Sequence, residues 1–316
     1  MSLPVALESR LRLPLIAAPM FLVSGPALVK AACRAGVIGS FPTANCRTVD
    51  ELDAWLTDIK AATADVAPYC PNLIVHRSNP RVAADVAAVV RHGAEIVITS
   101  VGSPEPVMKP LKDAGCRVLA DVASVRHAEK AVAAGVDGLV LLTAGAGGQT
   151  GWANPFAFVR AVRQFWDGIV VMAGGMSDGH AVRAARALGC DLAYMGTRFI
   201  ATRESMAGDA YKEMLVGSRL DDVLLTRAFT GLETNMLRPS IVAAGLDPDN
   251  LPPRDGIDVS KDINPAERDK RSREPGARRW KDIWSAGHSV SGVADVPSVA
   301  ELVERTAREY AAAATR

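Results

Sequence analysis

Several things are scarce in this sequence, and each shortage narrows its reading. Aromatic residues make up 5% of the 316 positions and charged residues 22%, against 49% hydrophobic ones. Such an aliphatic chain suits parallel strands buried on both faces and gives no sign of disorder. An excess of charge is missing too, since 36 Lys and Arg face 35 Asp and Glu and leave a net +1. That balance removes the basic field that nucleic acid or an anionic membrane surface requires, and points to a small-molecule partner. The five cysteines, Cys33, Cys46, Cys70, Cys116 and Cys190, are odd in number and form no CxxC pair, so neither a zinc or other metal site nor a disulfide framework is expected. No apolar run reaches the ~18 residues of a membrane span. The first twenty residues mix charges into their apolar stretch, unlike a signal peptide, and the default expectation is a cytoplasmic location.

What the chain does have is repetition. Eight short apolar runs recur: LPLIAAPM (13–20), VIGSF (37–41), NLIV (72–75), EIVITS (95–100), RVLADV (117–122), GLVLL (138–142), IVVMAGG (169–175) and DLAYMG (191–196). Between them lie segments of helical periodicity, among them 26–35, 49–62, 81–92 and 179–188, with a last one near 207–216. Thr48-Val49-Asp50-Glu51 reads as a capping box, and Gly36, Gly93, Gly115, Gly135 and Gly189 each follow a helical stretch where a left-handed residue is wanted. Eight strand–helix units predict an α/β protein, a (β/α)8 TIM barrel forming one domain over residues 1–316, with an open doubly wound sheet as the alternative. After residue 217 the pattern degrades. Residues 217–316 are expected to form an irregular excursion, charged in PPRDG and ERDKRSREPGARR, followed by a C-terminal helix over 298–313 that packs on the barrel through Val299, Leu302, Val303, Thr306 and Tyr310.

Barrels of this kind carry their sites at the C-terminal ends of the strands and often hold phosphate after the seventh and eighth. The seventh run ends in Ala173-Gly174-Gly175-Met176-Ser177-Asp178-Gly179 and the eighth in Met195-Gly196-Thr197-Arg198-Phe199. Glycines let backbone N–H groups approach an anion, and the helix that follows each turn offers its positive end. Tight turning alone would also explain either loop; both together favour phosphate.

AAPM at the first strand, AGAGGQTG after the sixth, AGGMSDG after the seventh and MGTRFIATRES after the eighth resemble the nitronate monooxygenases, formerly 2-nitropropane dioxygenases, from Leu13 to about Ser205, with a weaker echo at Trp284-Ser285-Ala286-Gly287. The resemblance implies an FMN-dependent oxidoreductase that oxidises alkyl nitronates with O2. It further implies that Pro19 and Met20 lie against the flavin, that Asn72 approaches the ring, that Gly148 contacts the cofactor, and that Gly174, Gly175, Gly196 and Thr197 hold its phosphate. Some relatives reduce quinones or enoyl thioesters with NAD(P)H, and that reading stays open, as does a non-redox barrel for a phosphorylated ligand. A homo-oligomer is compatible with the sequence, which does not fix the assembly.

Two departures stand out. Where the family pattern has a catalytic histidine, this chain has Gln149, whose amide can orient an oxygen but cannot take a proton near neutral pH. Where the family has a basic or amide residue at the fifth strand, this chain has Asp121, a carboxylate that would approach the ring, pair with a nearby cation or turn to the helix layer. His76, after the third strand, and His288, after WSAG, are the remaining candidates for catalysis. Trp152, Phe156 and Trp284 are candidates for an apolar pocket wall.

Overall fold

The computed structural model describes residues 3–252, 256–257, 259–264 and 280–314. Eight parallel strands close into a barrel: β1 (Leu15–Ala17), β2 (Ile38–Pro42), β3 (Tyr69–Ile74), β4 (Ile96–Ser100), β5 (Arg117–Val122), β6 (Gly138–Leu142), β7 (Ile169–Ala173) and β8 (Leu192–Met195). Closure runs through β1 and β8, with Ile16 opposite Tyr194 and Ala17 opposite Met195. Each strand coincides with one of the eight apolar runs, and the open-sheet alternative falls. The strands are short and almost wholly buried because helices cover their outer face and side chains fill the inner one.

Residues at i and i+2 face the same side of a strand, which fixes the layers inside the barrel. Ile16, Ile38, Cys70, Ile98, Leu119, Val140, Val171 and Leu192 form a dry interior cluster. One step toward the C-terminal ends, the same faces present Asn72, Ser100, Asp121, Leu142, Ala173 and Tyr194, and these form the floor of a cleft. The barrel is therefore apolar at its centre and partly polar at its mouth.

The helix ends follow their local chemistry. Gly93 and Gly189 close their helices at φ 68° and 112°, which a residue with a Cβ adopts only under strain. Thr48 accepts from the Glu51 N–H at 3.1 Å as expected, but the Glu51 carboxylate reaches one residue further back and accepts from the Arg47 N–H at 2.5 Å. Beneath the last strand, Asp191 accepts from the Arg163 guanidinium at 2.6 Å and from the Val170 N–H at 2.8 Å. Both side chains of this pair are largely buried, at 16% and 9% exposure. Asp191→Ala leaves that guanidinium with only the Trp166, Gly168 and Gly189 carbonyls and no counter-charge, and a loss of roughly 3–5 kcal/mol is expected in urea unfolding; a change under ~1 kcal/mol would show that the pair is dispensable.

Residues after 217 are more regular than the sequence suggests. Strands Val223–Thr226 and Thr234–Leu237 pair antiparallel, and the second pairs with the short strand Gly148–Gln149 of the sixth loop. Four-residue strands joined through a turn are too short for a period-2 signal. The run ERDKRSREPGARR and most of PPRDG lie outside the described residues. The C-terminal helix, Val299–Ala312, buries Val299, Leu302, Val303 and Thr306 against the barrel's helices. It crosses helix Gly179–Leu188 so closely that a Cβ at Gly179 would sit 2.2 Å from the Thr306 carbonyl oxygen. Among the described residues no helix is long and apolar enough to cross a membrane.

Candidate active site

The cleft over the C-terminal ends of the strands encloses about 1230 Å³ of empty space, its open mouth included. Every residue expected to touch a cofactor lines it: Pro19, Met20, Asn72, Asp121, Gly148, Gly174, Gly175, Gly196 and Thr197. Gln149 lines it as well. Its backbone is held by pairing with Thr234, and among the described residues its side-chain amide has no partner.

At one end of the cleft two turns meet. β7 and β8 pair with Ala173 opposite Tyr194, which sets the turn after each strand side by side. Gly174 and Gly175 take φ 117° and 73°, so the turn demands glycine, and a Cβ at Gly174 would collide with Thr143 Oγ1 at 2.4 Å. Among the described residues, none accepts a hydrogen bond from the N–H of Gly174, Gly175, Gly196 or Thr197. Thr197 Oγ1 accepts from the Gly287 N–H at 2.9 Å, which leaves its proton free to donate. Next to it, the Arg198 side chain is buried with Nε and Nη1 unpartnered. It lies outside the cleft lining, and the charges of Asp295, Arg305, Glu309 and Asp178 act on it. Unpartnered backbone donors at a helix start beside a buried cation suit an oxyanion of high charge. A cofactor phosphate fits this set of donors, and the largely apolar cleft leading away from it fits a flat ring system.

The floor is less uniform. Asn72 is 5% exposed and donates to the Ile98 carbonyl at 3.3 Å and to Ser100 Oγ at 3.1 Å, so its amide nitrogen is engaged by β4 even though the residue borders the cleft. Among the described residues no cation shifts the Asp121 acid. Its Oδ1 is buried without a hydrogen-bond partner, and burial alone pushes its acid up to about 8.

The histidines are not brought in. His76 Nδ1 accepts from the Ser78 N–H at 3.2 Å, which folds the imidazole back on its own loop. The His288 ring packs against Gly145, where a Cβ would lie 2.7 Å from its Nδ1, and is exposed. Neither side chain lines the cleft. Trp152 and Phe156 are 77% and 62% exposed and stand away from it, whereas Trp284 forms its wall, stacked on Tyr211 at 5.0 Å between centroids. Sequence reasoning missed Tyr194 and Tyr211. The first faces the cleft only through the register of β8, and the second reaches it beside segment 284–287, which folds back over the glycine turns.

Fold and site together define a (β/α)8 barrel in which two glycine turns with open N–H groups meet after the last two strands. The profile of the nitronate monooxygenase family matches residues 80–309. The chain belongs to that family and is an oxidoreductase of it. A nitronate monooxygenase of Paraburkholderia phytofirmans is 29% identical over 94% of this chain and 92% of its own length. A (3aS,4S,5R,7aS)-5-hydroxy-7a-methyl-1-oxo-octahydro-1H-indene-4-carboxyl-CoA dehydrogenase of Mycobacterium tuberculosis is 30% identical over 72% of this chain, and the match spans 64% of that enzyme. Among solved structures, a nitroalkane oxidase from Streptomyces ansochromogenes superposes with a TM-score of 0.77 at 24% identity, covering 98% of this chain and 99% of that one. FabK from Thermotoga maritima also gives 0.77, at 22% identity, over 98% and 95% of the two chains. These two superpositions speak for the fold alone.

Proposed function

We infer that this chain binds FMN in the cleft and oxidises alkyl nitronates with O2. Members of its family are in general flavin-dependent. The observation that carries the reading is the meeting of two turns with open N–H groups at one end of an otherwise apolar cleft. Gly174, Gly175, Gly196 and Thr197 would hold the phosphate, and Pro19 and Met20 would border the ring. When bound, the flavin supplies an electron acceptor that O2 can reoxidise.

The remaining chemistry belongs to the chain's own side chains. Gln149 offers an amide to orient a nitro oxygen and no base to take a proton. Neither histidine outside the motifs replaces the missing base, because both rings are turned elsewhere. The substrate is therefore one that arrives already deprotonated, which describes a nitronate and not its parent nitroalkane. Tyr211 and Trp284 exclude water from one wall.

An absorbance spectrum and steady-state turnover test this. Propionate 3-nitronate and alkyl nitronates should turn over at least ~10²-fold faster than neutral nitroalkanes, the usual worth of a general base. Anaerobic bleaching by NADPH or NADH with quinone or enoyl-thioester turnover, and none with nitronates, would establish the reductase reading instead. A colourless protein that takes up no FMN would leave a non-redox phosphate-binding barrel.

A further inference from the structure

The side chain at the centre of the cleft floor remains unused by the proposed mechanism. Asp121 projects from the end of β5 into the barrel mouth, with Oδ1 buried and without any hydrogen-bond partner. The titratable groups near it are Tyr194 on β8 and Cys70 on β3, and burial holds both neutral. β4 and β6 contribute Ser100 and Leu142 to the same floor, neither of them charged. Among the described residues no Lys or Arg shifts its acid, which burial alone governs. A carboxylate there would keep one oxygen buried without a donor although the side chain borders the cleft, a costly state for this group. A carboxylic acid is neutral there and carries an O–H to donate.

We propose that Asp121 stands in the cleft as a neutral acid and donates a hydrogen bond to the ring portion of the bound flavin, so that cofactor affinity is set by the protonation of this one side chain. This rests on the FMN reading above. Raising the pH removes Asp121's proton to solvent, which costs the ligand a donor and adds a negative charge to a site that already holds a dianion. Linkage limits the effect of one proton to a tenfold loss of affinity per pH unit, beginning near pH 8, where burial has pushed this acid.

The test is FMN affinity by fluorescence quenching from pH 6 to 10 for the wild type and for Asp121→Asn, which keeps a donor and cannot ionise. The flavin's own titrations affect both proteins equally, so the ratio of the two dissociation constants is the readout. A ratio that is flat at low pH and climbs toward tenfold per unit above about pH 8 supports the proposal; parallel profiles overturn it. Difference infrared spectra of the cofactor-free wild type supply a second readout that needs no variant to fold. A protonated carboxyl band that bleaches on titration through about pH 8 is expected, and its absence at neutral pH would refute the neutral acid. If the wild type shows the band but binds FMN at no pH, the cofactor reading fails and takes the hydrogen bond with it.

The same acid links pH to stability. Its folded-state value of about 8 lies above the ordinary 3.8, so the folded chain holds a proton that the unfolded chain has released. Its stabilising contribution is full below about pH 4 and is lost as pH rises through about 8. Relative to Asp121→Asn, the cofactor-free wild type should lose urea midpoint across that window.

Discussion

Gly196→Asp is expected to abolish FMN binding while leaving the fold intact. Gly196 sits at φ −105°, within reach of any residue, and a Cβ there would meet only Ala18 Cβ and Met20 Sδ at an ordinary 3.6 Å. The substitution is therefore tolerated sterically and places a carboxylate at the turn whose N–H groups are open. Two unit charges ~4 Å apart repel by about 4 kcal/mol at an effective dielectric near 20, and the phosphate carries nearly two charges. At least ~10³-fold weaker binding follows, measured by flavin fluorescence, while Gly196→Ala should change affinity less than ~10-fold. An aspartate variant that binds as the wild type does would place the phosphate elsewhere.

Gln149→His carries the second large effect. Gln149 lines the cleft with an unpartnered amide on a backbone pinned by pairing with Thr234, so an imidazole at the same Cα would enter the same space. A positioned general base contributes ~10²–10⁴-fold to a step that needs proton abstraction. Turnover of neutral nitroalkanes should rise by about that factor above pH 7, and turnover of preformed nitronates should change little. Equal effects on both substrates would mean that the histidine perturbs the cleft and supplies no base.

The barrel was readable because each strand is a short apolar run, most of them preceded by a glycine, and each helix a separate periodic segment. The meeting of the two glycine turns was readable for the same reason, since Gly174, Gly175 and Gly196 follow directly on the last two strands. What lay out of reach depends on contacts between distant segments. That Asn72 is satisfied by Ser100, 28 residues away on the next strand, is decided by a partner no spacing rule names. The fold-back of Ser285-Ala286-Gly287 onto Thr197 likewise left only a faint trace in the sequence, although it closes the end of the cleft where the glycine turns meet. Asp121 was visible as an odd residue at the end of the fifth strand; that no described cation pairs with it required the surrounding strands.

The anion cradle is tested most directly by comparing FMN with riboflavin, which has the same ring and no phosphate, in equilibrium binding to the cofactor-free wild type. Two or more charge-assisted hydrogen bonds at ~1.5–3 kcal/mol each require FMN to bind at least ~10²-fold tighter. Equal affinities would mean that the turns after β7 and β8 hold no phosphate.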